Sequence, residues 1–193
     1  VSHAYAVPPH VILGPTLETE RLILRPPAVE DFPRWVDFMA DAETTRFIGG
    51  VQAAPQVWRL ICTVAGMWAL TGEGMFSILE KSTGRWIGRI GPLHPYSWPG
   101  REVGWSLHRD AMGQGYAVEA AAATLDYAFD VLGWEDVIHC VAPDNAASAA
   151  VAARLGSRNR GPGVLPEPLQ DEVVDLWGQT RAEWAINRHA LAR

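Results

Sequence analysis

Glu102-Val-Gly-Trp-Ser-Leu-His-Arg-Asp-Ala-Met112-Gly113-Gln114-Gly115-Tyr116-Ala117-Val-Glu-Ala120 joins an apolar extended segment to the most strongly patterned helix of the 193-residue chain. Glu102 to Leu107 reads as a strand. From Gly115 to Leu132, the side chains Val118, Ala121, Ala122, Leu125, Phe129 and Leu132 recur on one helical face, and Gly133 supplies the stop. Between them, Gly113 and Gly115 let the main chain turn tightly and approach a ligand closely. The first-turn N–H groups and the positive end of the helix dipole then favour a phosphate, and a pyrophosphate fits. Two spaced glycines before a helix are equally often a plain turn, so the neighbouring segments must decide. The dinucleotide fingerprint is excluded, because its third glycine is replaced by Val118, and no Gly-Lys-Ser/Thr of a Walker loop occurs.

Upstream of this stretch, Met75–Glu80 and Trp86–Ile90 are strand-like, separated by Ser82-Thr83-Gly84, and Pro92 to Gly100 forms a turn-rich link to Glu102. The pattern is an antiparallel meander. Before it come a strand at Thr19–Arg25 closed by Pro26-Pro27, a helix at Glu30–Ala40, and a helix from Pro55 to Leu70 broken by Gly72 and Gly74. Downstream, Asp136–Val141 is a strand, Asn145 caps a helix ending at Gly156, Gly161–Pro168 reads as a loop, and Val173–Trp177 is the last strand. The order β-α-α-β-β-β-α-β-α-β predicts a mixed α/β sheet with helices packed against it. Residues 1–16, with Pro8, Pro9 and Pro15, are expected to be an irregular lead-in, and residues 17–193 a single domain.

A formal charge of −6 and a pI near 5.5 argue against a basic nucleic-acid footprint. No apolar run reaches the roughly 18 residues of a membrane span, and Val1–His10 lacks the pattern of a secretory signal. A soluble, cytoplasmic protein is the expectation, with neither nucleic acid nor membrane as partner. Cys62 and Cys140 form neither a disulfide framework nor a metal cluster, and are expected as buried thiols with no metal site.

Three segments together give a specific resemblance: Glu102–Ala120, Thr19-Glu-Arg-Leu-Ile-Leu-Arg-Pro26, and Asp144-Asn-Ala-Ala-Ser-Ala-Ala-Val-Ala-Ala-Arg-Leu-Gly156. Over roughly Leu17 to Trp184 the chain resembles the GNAT superfamily of N-acetyltransferases, in particular its ribosomal-protein-alanine acetyltransferase (RimJ/RimL-like) branch. The resemblance implies a central, mostly antiparallel sheet splayed at the cofactor site, and direct transfer from acetyl-CoA to a primary amine on a small molecule or a protein N-terminus. It further implies that the main chain of Ser106 and Leu107 pairs with the pantetheine arm. The amides of Met112, Gly113, Gln114, Gly115, Tyr116 and Ala117 would hold the pyrophosphate, and Asn145, equally a plain helix cap, would touch the cofactor arm.

Many members carry a Tyr acid seven positions after this Asn, where this chain has Ala152. Ser148 is then the alternative donor to the leaving thiolate, or simply a first-turn capping residue. Glu102 is the expected base, against a plain strand-end carboxylate, and His94 is the second choice. The missing Tyr keeps open a non-catalytic acyl-CoA-binding module. Trp35, Trp58, Trp68 and Trp98 would line an acceptor pocket or simply fill core. The composition fits isolated subunits and a homodimer alike.

Overall fold

The computed structural model describes residues 14–191, so the expected lead-in lies, up to residue 13, outside the described residues. Eight strands form one sheet in the order β1-β2-β3-β4-β5-β6-β8-β7. They are β1 (Leu17–Glu18), β2 (Leu22–Arg25), β3 (Phe76–Glu80), β4 (Trp86–Leu93), β5 (Glu102–Leu107), β6 (Asp136–Val141), β7 (Arg158–Gly163) and β8 (Val174–Thr180). Every pairing is antiparallel except β5 with β6. The meander β3-β4-β5 matches the pattern of apolar runs and glycine-proline turns that predicted it.

The helices are α1 (Phe32–Ala40), α2 (Ala42–Thr45), α3 (Ala54–Thr71), α4 (Tyr116–Asp130), α5 (Ala146–Arg154) and α6 (Arg181–Leu191). On one face of the sheet, α4 buries Ala121, Leu125 and Phe129 against Leu24, Ile78, Ile90 and Val103, with Leu155 and Trp184 at the margin. On the other, α1 and α3 form a second core in which Trp35, Phe38, Val57, Ile61 and Val64 meet Met75 and Trp86. Trp68, the next residue of the α3 stripe, donates its indole N–H to the Met75 carbonyl at 3.0 Å. Thus Trp35 and Trp68 are core.

Several expectations change. Cys62 is exposed, because the buried stripe of α3 runs through Ile61 and Val64 and rotates its neighbour outward. The segment from Gly161 begins as the end of β7 rather than as a loop; its charged side chains, Gly161 and Pro162 suit an edge strand whose existence depends on pairing with β8. β8 continues to Thr180 and is followed at once by α6, whose amphipathic face was not read from the sequence. The lone buried residue of that helix is Trp184, which donates to Asp126 of α4 at 3.0 Å.

Asp31 ties three elements together. Its carboxylate, 3% exposed, accepts from Arg25 Nη1 and Nη2 of β2 at 2.9 and 2.7 Å, from the Ala28 amide at 2.9 Å and from the Ser77 hydroxyl of β3 at 2.6 Å. This anchors the turn that launches α1 across the sheet.

Candidate active site

β5 and β6 run parallel but share a single register pair, Glu102 with Ile138. The Ile138 amide reaches the Arg101 carbonyl at 2.9 Å, and beyond it the strands part. Two side chains take up the backbone groups that a continuing ladder would have paired. The Cys140 amide donates to Glu102 Oε1 at 3.2 Å, and the Val103 carbonyl lies 2.7 Å from His139 Nδ1. A carbonyl only accepts, so the His139 proton sits on Nδ1 and Nε2 accepts from the Ser157 hydroxyl at 3.0 Å. Burial holds His139 neutral and pulls its pKa down to about 4. The splay therefore exposes main-chain edges while side chains satisfy the Cys140 amide and the Val103 carbonyl at its apex.

β5 leads from this apex through a short turn at Arg109–Ala111 to the glycine loop. Gly113 and Gly115 have φ of +74° and +80°, a region that only glycine enters without cost. The Met112 amide donates to the Arg109 carbonyl at 3.3 Å, and the Met112 side chain is exposed. From Gly113 onward the amides open a 15-residue helix whose first N–H groups have no intrahelical acceptor. Arg21 of the β1–β2 turn fixes their direction. Its Nη1 donates to the Gln114 carbonyl at 3.0 Å, its Nε pairs with Glu119 at 2.6 Å, and its guanidinium lies 4.5 Å from the centre of the Tyr116 ring. Because the C=O and N–H of one trans peptide point oppositely, holding the Gln114 carbonyl toward Arg21 aims the Gly115 amide away from it. The Tyr116 side chain turns inward and donates to Glu80 at 2.6 Å, so this residue offers a ligand its main chain only. Arg21 was missed in the sequence, where it reads as an ordinary strand-flanking charge 93 positions from its acceptor.

On the α1 side of the sheet, Glu102, Gly104 and Ser106 alternate along β5. Glu102 is 5% exposed, which removes the reading of a plain exposed strand end. Its Oε2 accepts from the Trp98 indole at 2.6 Å. Desolvation raises its pKa above the ordinary carboxylate range. A methyl group at position 104 would lie 3.2 Å from Glu102 Oε1, so the missing side chain of Gly104 is what lets the carboxylate lean along the strand. Burial and the adjacent Glu102 carboxylate push the Cys140 thiol up, which makes it a poor nucleophile. His94 is exposed after β4 and makes no hydrogen bond among the described residues. Trp98 thus joins the site while Trp35 and Trp68 do not line a surface.

Across the splay, Asn145 caps α5 by accepting from the Ser148 amide at 3.1 Å, leaving its amide NH2 for another acceptor. Ser148 is half-buried on the first turn, and Ala152, one turn on, is fully buried. A cavity of about 400 Å3 lies at the other end, between α1, α2 and His108–Asp110. Its charged groups are paired with one another: Asp37 and Asp110 flank His108 at 3.1 and 3.0 Å, and Asp41 faces Arg109 at 3.5 Å. Neither Glu102 nor the glycine loop is among its lining residues.

The GNAT acetyltransferase domain model matches residues 21–158. An uncharacterized N-acetyltransferase, p20 of Bacillus licheniformis, is 31% identical over 169 residues, covering 84% of this chain and 93% of its own length. The uncharacterized N-acetyltransferase YoaA of Bacillus subtilis is 28% identical, covering 76% and 85%. An acetyltransferase structure from Agrobacterium tumefaciens superposes with a TM-score of 0.75 at 35% identity, over 94% of this chain and 99% of its own. A ribosomal-protein-S5-alanine acetyltransferase from Vibrio fischeri, at 18% identity and TM-score 0.67, shares the fold over 88% and 98%. A splayed sheet, a glycine loop at a helix start and these matches have one common account: the chain belongs to the GNAT acetyltransferase family, N-acetyltransferases that use acetyl-CoA as co-substrate.

Proposed function

We propose that this enzyme transfers the acetyl group of acetyl-CoA to a primary amine by direct attack, with Glu102 as base and Ser148 as acid. The observation that carries this reading is the placement of a buried carboxylate of raised pKa at the apex of the β5–β6 splay, on the strand that leads to the phosphate loop. The amides of residues 112–117 hold the pyrophosphate, with Gly113 to Ala117 dominant because the Met112 amide already has a partner. The main chain of Ser106 and Leu107 pairs with pantetheine, and Asn145 touches the same arm. Glu102 takes a proton from the ammonium, directly or through a water, and the freed nitrogen attacks the thioester carbonyl. The oxyanion is polarised by a strand amide near Leu107. Collapse breaks the C–S bond, and the thiolate takes its proton from the Ser148 hydroxyl, which is reprotonated through water by the proton that the attacking nitrogen sheds as the amide forms, while Glu102 returns its own proton to solvent.

We place the enzyme on the RimJ/RimL-like branch on the strength of the three quoted segments, with a protein N-terminus or a small amine as acceptor. A single domain from residue 17 to 193 and a cytoplasmic location, suited to the exposed thiol of Cys62, complete the reading. Sedimentation would distinguish a monomer from a homodimer. Thiol release from acetyl-CoA across amines and N-terminal peptides tests the activity. Glu102→Gln and Ser148→Ala should each lower kcat by about 100-fold, with the stabilisation by CoA retained. Wild-type turnover in both variants would remove these roles. The second reading, a non-catalytic acyl-CoA-binding module, is favoured by Ala152 where many members carry Tyr. It predicts stabilisation by acetyl-CoA, about 2.7 kcal/mol at 100 times Kd, and no thiol release with any amine.

A further inference from the structure

Arg89 lies in the middle of β4 and is only 9% exposed. In the antiparallel register it stands directly opposite Ser77 of β3 and Ser106 of β5, so all three side chains share one face. That face is the one bearing Glu102 and Gly104, four and two residues before Ser106 on the same strand. From α1, the Trp35 ring covers the guanidinium with 5.3 Å from its centre to Cζ.

The guanidinium makes no hydrogen bond and no ion pair among the described residues, and its Nε is buried without a partner. The Trp35 indole N–H, on the ring that covers it, is orphaned as well. Among the described residues, no carboxylate pairs with this charge. Asp31 is saturated by Arg25, the Ala28 amide and Ser77, and Glu102 is turned to Trp98 and the Cys140 amide. Ser77 is itself committed, donating to Asp31 and accepting from Trp86 at 3.0 Å. Desolvation without a counter-charge draws the Arg89 pKa down to about 10, still fully cationic at neutral pH. A buried unpaired charge is among the most costly features a fold can hold, and it asks for an anionic acceptor.

We infer that Arg89 anchors an anionic group of the acetyl acceptor, so that the enzyme acetylates small amines that also carry a carboxylate. The carboxylate lies on Arg89 at the level of Ser106, and the amine is directed back along β5 over Gly104 toward Glu102. The strand rises about 3.3 Å per residue, so the level of Ser106 and that of Gly104, over which the Glu102 carboxylate leans, differ by about 7 Å, a gap that an ω-amino acid with a polar contact at each end bridges. This assignment rests on the amine-acetylation reading and narrows it from amines in general to amino-acid-like acceptors.

The test compares matched acceptors: glycine, β-alanine, γ-aminobutyrate and glutamate against their carboxamides, with thiol release at saturating acetyl-CoA. At least one acid should exceed its amide in kcat/KM by about 30-fold or more, the effect of leaving one member of a buried charge pair alone. Arg89→Met should abolish that preference by raising the KM of the acid, and Arg89→Lys should keep part of it. The KM of acetyl-CoA should stay unchanged in both. Amides used as well as acids by the wild type, or a preference that survives in Arg89→Met, overturns the assignment while leaving amine acetylation intact. Weaker acetyl-CoA binding with unaltered acceptor preference in the variants assigns Arg89 to the cofactor phosphates and also overturns it. Failure of every amine while acetyl-CoA still stabilises the protein removes the amine reading itself, and this assignment with it. Should Arg89→Met not fold, the wild-type panel and Arg89→Lys still decide.

Discussion

At the scale of single residues, the site depends on side chains standing in for backbone. Glu102 and His139 each satisfy a main-chain group that the parting of β5 and β6 would strand, and a stranded buried group costs about 1–3 kcal/mol. The raised pKa of Glu102 places its acid limb above the ordinary carboxylate range. If it is the base, kcat/KM should rise with pH through that displaced midpoint, and the limb should vanish in Glu102→Gln; a pH profile with one limb common to both proteins would refute it. For His139, the unfolded chain takes up a proton near pH 6.5 and the folded one only near 4. Its contribution is therefore complete above pH 6.5 and is lost as the pH falls between those values, by about 3 kcal/mol. Urea titrations at pH 7 and pH 4.5 should show His139→Gln with a distinctly smaller acid loss than the wild type.

Elements position these residues. The loop before α4 works because two glycines occupy left-handed backbone and because Arg21, from the far edge of the sheet, holds the Gln114 carbonyl outward. Gly115→Ala forces a side chain into φ +80°, at about 1–2 kcal/mol, and should remove most of the thermal shift given by CoA. Arg21→Ala should weaken CoA binding by about tenfold, a loss of one charge-assisted hydrogen bond, with unchanged acceptor KM. Calorimetric titration with CoA checks both. On the opposite side of the splay, α5 is held from behind by a polar network: Gln179 of β8 donates to the Leu155 carbonyl and Ser157, and Asn187 of α6 donates to Gln179 and the Gly156 carbonyl. The last strand and last helix thus set where Asn145 and Ser148 stand.

For the whole molecule, two cores grip one sheet, and Asp31 couples them through β2, β3 and the start of α1. Asp31→Ala leaves Arg25 and Ser77 without their shared acceptor and should cost about 3–5 kcal/mol, read from the urea midpoint. The strand-glycine-helix segment, the meander and the Asn-capped helix were legible in the sequence because their signals are local: apolar period, glycine where φ turns positive, a capping side chain. β7 and α6 were not, since an exposed edge strand rich in Arg and Gly and a charged helix with one buried tryptophan acquire their conformation from what they pair with. By itself, the sequence determined the family resemblance, the order of the main elements and the loop at residues 112–117. Tertiary structure alone decided that Glu102 is buried at the apex of a splay, that Arg21 steers the loop, and that Arg89 is a cation without a counter-charge among the described residues. Those properties arise from desolvation and from pairing between residues far apart in the chain, and neither leaves a mark on the neighbouring sequence.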